Sequence, residues 1–179
     1  MKLSNATTKR LGLTLILGVL ALDQLSKYWV INHLRLPEIG KIELSPFFDL
    51  TMVWNYGVSF GALKADADWE RWALVALSAV IATIFAVWLT RAQRGHTILA
   101  LSLVIGGAIG NMIDRIRFGA VADFFDFSGM YFPWVFNIAD SAITLGAILL
   151  ALDMVLNPDD PPQSKQKAEA SEDINGPTA

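Results

Sequence analysis

The sequence predicts an all-α membrane protein, with four transmembrane helices, a small extracytoplasmic strand-forming segment and a short interfacial helix. Three observations lead there. Of 179 residues, 54% are hydrophobic and 17% charged, against about 45–50% apolar and about 25% charged in soluble domains. The apolar residues arrive in four blocks, each near the roughly 20 residues that a bilayer-spanning helix needs. A single loop, at residues 32–71, has enough polar content to build something outside the bilayer. The composition also excludes. With no cysteine there is no disulfide scaffold, no thiol nucleophile and no Cys-ligated zinc or iron–sulfur site. A net charge of −3 gives no basic footprint for nucleic acid.

The first span covers residues 11–31, behind Lys9 and Arg10. A cleaved signal peptide is the other reading of this start. Asp23-Gln24-Leu25-Ser26-Lys27 follows the apolar run, however, with no small-x-small cleavage site, and hydrophobicity resumes at Tyr28-Trp29-Val30-Ile31, so an uncleaved span is expected. The second span, residues 72–89, holds no charge in 18 residues, roughly 27 Å of helix. The third covers 97–113 and the fourth 136–156. In the outer loop, Ile42 and Leu44, then residues 48–54, read as short strands broken by Ser45-Pro46. Residues 64–71, polar with Trp69, read as a short surface helix. Residues 1–156 thus form one membrane domain. The tail at 157–179, Pro-rich, charged and free of aromatics, is expected to be disordered.

Orientation follows from Lys and Arg. Lys2, Lys9, Arg10, Arg91, Arg94, Lys165 and Lys167 cluster at the ends that an N-in topology places in the cytosol. Arg35, Lys41, Lys64, Arg71, Arg115 and Arg117 are spread over longer outer segments. Both termini are therefore expected in the cytoplasm. Trp29, Trp69, Trp72 and Trp134 would form the outer aromatic belt, with Trp88 at the inner face.

Ionisable residues inside lipid are costly and mark function by default. Asp23 and Lys27 stand at i and i+4, the order that favours an ion pair, and read as a structural polar pair. Gly106 and Gly110 make a small-xxx-small face for close helix approach. Asn111, Asp114 and Arg115 share the next face, where Arg115 is placed either to clamp Asp114 or to bind a substrate carbonyl. Gly119 to Phe127, Phe-rich and holding Asp123 and Asp126, belongs at the outer interface. Asn137, Asp140, Ser141 and Thr144 then form a polar stripe on the fourth helix, which must face other helices or a wet cleft. Carboxylates gathered at an apolar boundary cannot all ionise cheaply. That is the arrangement of an aspartic protease, one carboxylate as base toward water and its partner protonated. His33 and His96 lie at opposite ends of the bilayer, which excludes a Ser–His–Asp triad and a His-based metal site.

Five blocks in order then resemble a known family, the bacterial lipoprotein signal peptidase or signal peptidase II. They are Asp23-Gln24-Leu25-Ser26-Lys27; Asn55-Tyr56-Gly57-Val58-Ser59-Phe60-Gly61; Gly106-Gly107-Ala108-Ile109-Gly110-Asn111-Met112-Ile113-Asp114-Arg115; Gly119-Ala120-Val121-Ala122-Asp123-Phe124; and Phe136-Asn137-Ile138-Ala139-Asp140-Ser141. The resemblance implies that Asp123 and Asp140 are the catalytic pair, a choice the residues alone leave open against Asp114 and Asp126. It implies that Asn55, Asn111, Asp114, Arg115 and Asn137 line the cleft, and that the outer loop supplies a small β-cradle and a surface helix over it. The implied substrate is a prolipoprotein cut just before its diacylglyceryl-modified cysteine. The implied place is the bacterial inner membrane, with the site toward the outer face. No metal or cofactor is implied, and the chain would act as a monomer.

Two other classes compete. In a metal-dependent membrane phosphotransferase, Asp114, Asp123, Asp126 and Asp140 would ligate Mg²⁺ as hard oxygen donors, an activity that EDTA would abolish. In a non-enzymatic transporter or proton carrier, Asp23, Asp114 and Asp140 would form a relay, and no lipidated peptide would be cleaved.

Overall fold

The computed structural model describes residues 5–57 and 68–156. Four long helices cross the molecule: α1 (Asn5–Tyr28), α3 (Asp68–Leu89), α4 (Gly95–Phe118) and α5 (Ile138–Leu156). All four are long and apolar enough to cross a membrane. α4 is the central helix and packs against α1, α3 and α5. Within its most apolar stretch 67% of residues are buried, against 6% in α3, so α3 is the peripheral helix and gives most of its surface to lipid.

Glycine explains how α4 comes so close to two neighbours. A Cβ on Gly106 would stand 2.8 Å from Val19 Cβ on α1. One on Gly107 would meet Ala139 O and stand 2.8 Å from Ile143 Cγ1 on α5. Lipid tails are as apolar as leucine, so helices in a bilayer associate through such close packing and polar bonds rather than through water exclusion. The half of the bundle away from the sheet is closed by Leu89, Ile98, Leu101, Ile105 and Leu150.

The span ends differ from the sequence expectation in instructive ways. α1 does not stop at 31 but runs into a π-helical turn, Trp29–His33, closed by Leu34 N–H on Trp29 O at 3.0 Å. The wide turn coincides with burial of Val30 against Leu36, Leu50 and Phe124 in the outer core. Arg35, in the left-handed region at φ 49°, then turns the chain into α2 (Leu36–Ile39). Residues 64–67 of the expected surface helix lie outside the described residues, and Asp68 to Arg71 are the first turn of α3. α4 continues past 113 to Phe118, so Asp114 and Arg115 sit inside the helix. Gly119 at φ 80° ends it, donating to Arg115 O at 3.0 Å.

Four antiparallel strands form one sheet in the order β1 (Lys41–Ser45), β2 (Phe48–Asn55), β3 (Val121–Asp126) and β4 (Val135–Phe136). The strands expected in the outer loop supply only half of it. The other half comes from the segment read as interfacial, because the left-handed Gly119 reverses the chain at the top of α4 and lays Val121–Asp126 beside β2. Val53 pairs with Asp123 and Asn55 with Val121; Phe125 pairs with Phe136. The disordered tail expected at 157–179 lies outside the described residues.

Candidate active site

Two elements carry the acids at the centre of the polar region. β3 presents Asp123, fully buried, and the first turn of α5 presents Asp140, half-buried. Asn137 joins them. Its Oδ1 accepts the Asp140 N–H at 2.9 Å, the N-terminal cap of α5. Its Nδ2 donates to Asp123 Oδ1 at 2.6 Å, with longer contacts of 3.3 Å to Ala122 O and Asn111 Oδ1. One amide thus fixes the start of a helix and aims it at a carboxylate on a strand.

Each acid has a second support. Asn55 Nδ2 donates to Asp123 Oδ2 at 3.0 Å, while Asn55 Oδ1 accepts the Gly57 N–H, also at 3.0 Å, which orients the amide. Asn111 Nδ2 donates to Asp140 Oδ1 at 2.7 Å, leaving Oδ2 without a hydrogen-bond partner among the described residues. Asp123 therefore has both oxygens held and Asp140 has one. Burial pushes the Asp123 carboxyl up to about 7, helped by the neighbouring Asp140 charge and opposed by the Asn55 and Asn137 bonds and by Lys27.

Beneath the two acids lies a buried polar clamp. Lys27 Nζ reaches Asp23 Oδ2 at 2.9 Å, Asp114 Oδ2 at 2.7 Å and Asn111 Oδ1 at 3.3 Å. An ammonium has three donors and no acceptor, so all three are used. Gln24 Nε2 bridges the same two carboxylates at 3.1 Å each. Asp23 Oδ1 also accepts the Ala139 N–H at 3.0 Å, and Asp114 Oδ2 the Ala122 N–H at 3.2 Å. The clamp grips the residue before Asp140 and the residue before Asp123. The expected Asp23–Lys27 pair is thus one part of a larger unit that links α1 and α4 to both acid-bearing segments. Gln24 and the two backbone N–H groups were not singled out from sequence. A polar side chain beside an acid inside a span was the available signal for Gln24, but backbone anchors leave none.

The acids the sequence left open now separate. Asp114 is committed to Lys27 and to β3. Asp126 accepts Thr51 Oγ1 at 2.6 Å and the Ser128 N–H at 2.9 Å, bonds that hold its carboxyl below the usual range. Arg115 makes no ion pair with Asp114; Lys27 occupies that carboxylate instead. Arg115 Nη1 contacts Asn111 O at 3.4 Å, and its Nε is buried without a partner among the described residues. Its half-buried guanidinium lies within electrostatic reach of Asp140, Asp123 and Asp114. Among the described residues no three His, Cys, Asp or Glu side chains converge as metal ligands. The i, i+3 acids of β3 instead have separate partners, Asn55 and Asn137 for Asp123, Thr51 and Ser128 for Asp126.

Residues 15–156 match the family model described as Signal peptidase (SPase) II. The chain is 48% identical over 137 residues to the lipoprotein signal peptidase of Caulobacter vibrioides, covering 76% of this chain and 81% of that one. It is 49% identical over 148 residues to the lipoprotein signal peptidase of Rhizorhabdus wittichii, covering 82% and 86%. Two solved structures are similar, both described as bacterial membrane enzymes determined by the in meso method. The one at 2.3 Å resolution gives a TM-score of 0.70 at 28% identity, covering 84% of this chain and 91% of that one. The one at 1.9 Å gives 0.69 at 30% identity, covering 83% and 94%.

Proposed function

The chain belongs to the signal peptidase II family and is an aspartic peptidase of the membrane that removes signal peptides from lipoproteins; we propose that Asp123 and Asp140 are the pair that does the hydrolysis. The observation that carries this is the junction at Asn137, which couples one acid's carboxylate to the backbone of the other while every neighbouring acid is committed elsewhere. Asp123 and Asp140 share one proton. The ionised member takes a proton from water, whose oxygen attacks the scissile carbonyl carbon. The protonated member stabilises the developing oxyanion by hydrogen bonding, and a proton then passes to the amide nitrogen as the C–N bond breaks. Asn55, Asn111 and Asn137 hold the carboxylates in place, and Asp114 acts at one remove through Ala122. Arg115, half-buried and within electrostatic reach of both acids, is the group that would bind a main-chain carbonyl of the substrate.

The substrate bond is the one preceding a diacylglyceryl-modified cysteine, since an acylated peptide remains at the lipid boundary where the pair sits. Asp123→Asn and Asp140→Asn each keep the shape and most hydrogen bonds but cannot ionise. Both variants should stay folded and lose cleavage of a lipidated signal-peptide substrate by at least about 10³-fold, the scale seen when a catalytic-unit member is removed. The matching peptide without the diacylglyceryl group should be a poor substrate for the intact protein. Normal turnover by either variant would reject the pair.

Both termini face the cytoplasm and the pair faces the outer side, in a single chain acting alone. Support comes from the Lys and Arg placement, from exposed Trp29, Trp69, Trp72 and Trp134 against exposed Trp88, and from one chain supplying every clamp residue. Since the chain has no cysteine, Glu38→Cys in whole cells should react with an impermeant maleimide while Arg91→Cys should not. The reverse pattern would overturn this orientation.

A further inference from the structure

We propose that the loop at residues 128–134, together with Phe47, is an interfacial anchor that inserts into the lipid headgroup region of the leaflet nearest Asp123 and Asp140. Between Asp126 and Asp140 the chain carries no charged residue but has three Phe, a Tyr and a Trp. In the structure the middle of this run turns its apolar groups outward. Tyr131 is 99% exposed, Trp134 65% and Met130 61%.

The exposure is built. Ser128 to Met130 form a 3-10 turn, closed by Met130 N–H on Phe127 O at 2.8 Å and Tyr131 N–H on Ser128 O at 3.0 Å. Tyr131 itself sits in the left-handed region at φ 61°, a conformation that a bulky residue adopts only when its surroundings impose it. Behind the tip, Phe132 stacks edge-on with Trp134 and Phe136, and Phe136 lies parallel to Phe127. Gly129 presses on the β1–β2 turn so closely that a Cβ there would strike Pro46 O and lie 2.8 Å from Phe47 Cα. Phe47, 56% exposed, therefore joins the same patch.

Position identifies the occupant as lipid. Trp134 precedes Ile138, the first residue of α5, by four positions, and α5 exposes Leu145, Ile148 and Leu152 on its outside. The aromatic tip thus continues the lipid-facing surface of a spanning helix, where Trp and Tyr prefer the headgroup level. Its large rings on a rigid root, without basic residues, fit the interface of a bilayer rather than an acidic partner. The proposal rests on the four membrane-spanning helices and is independent of which acids are catalytic.

The test uses the absence of cysteine. Met130→Cys, outside the left-handed position, is labelled with a nitroxide in the full chain reconstituted at one copy per lipid nanodisc. Leu145→Cys and Glu38→Cys calibrate the lipid and water extremes. The label at 130 should show a ratio of lipid-soluble oxygen to water-soluble nickel-chelate collisions clearly above that at 38 and below that at 145, as the headgroup level requires. Preference for the nickel chelate, as at 38, would overturn the anchor, and so would shielding from both, which signals a protein partner. A wild-type rate of cleavage by the labelled Met130→Cys protein establishes that it is folded. The depth reading therefore stands apart from any failure of the catalytic assignment.

Discussion

Asp123 is the residue on which the proposed chemistry turns, because a buried carboxyl raised to about 7 changes protonation within the working range. An acid whose pKa rises on folding holds its proton more tightly in the folded chain. Its contribution to stability is full below the ordinary carboxylate range and is lost as pH climbs to about 7. Activity follows the same proton. Cleavage by the intact protein should fall above about pH 7 as the proton shared by the pair leaves. Since the Asn55 bond favours the ionised form, Asn55→Ala should displace that alkaline limb to higher pH, whatever it does to the maximal rate. A pH profile of kcat/KM on a lipidated peptide reads this directly, and a limb moved downward would contradict the assigned bond. From the sequence, Asp123 and Asp140 were visible as misplaced acids but not distinguishable from Asp114 and Asp126. What separates them is who else binds each carboxylate, and a sequence does not state that. The family resemblance supplied the choice; the partners Lys27, Thr51 and Ser128 give it a physical cause.

At the scale of elements, α4 is the part on which the others depend, and its glycines set the distances. Ala139 O lies against the site of a missing Cβ at Gly107, and Ala139 directly precedes Asp140. Gly107→Ala gains about 1 kcal/mol of intrinsic helix propensity. It loses about 1–3 kcal/mol to overpacking, and the backbone that must yield is the turn bearing Asp140. Gly18→Ala on α1 is the control, because nothing stands within 4 Å of its missing Cβ. A thermal-shift measurement in detergent should find Gly18→Ala equal to or more stable than the parent. Gly107→Ala should be less stable and cleave at least about tenfold more slowly. Equal behaviour of the two would deny the close approach. The spans themselves were legible because about 20 apolar residues admit few other readings in lipid. β3 was not, since Val121–Asp126 follows a helix, carries two acids and gains its strand form from β2, whose closest residue in the chain, Asn55, lies far upstream.

For the whole molecule, the sheet and the bundle are one device rather than a membrane domain with an appended cradle. β3 receives the outer core on one side through Phe124, against Val30, Leu36 and Leu50. On the other it delivers Asp123 to the end of α5. The overall plan was legible: hydropathy gives the four crossings, and turn residues give the outer hairpin. The closure was not, because it depends on contacts that join α1 to α5 and α4 to β3 through backbone N–H groups that every residue but proline possesses.

Those contacts also bear on how the protein is made. Asp23 appears early in synthesis, yet its hydrogen bond to Ala139 spans 116 positions. Until Ile138–Leu156 has left the ribosome and entered the bilayer, Asp23 Oδ1 has no Ala139 N–H to accept, and Asp140 is absent. With Asp123 and Asp140 as the proposed pair, a half-inserted chain should be harmless to the peptides passing beside it. On that assignment, hydrolytic capacity should arise in a single late event, when the last helix closes the bundle.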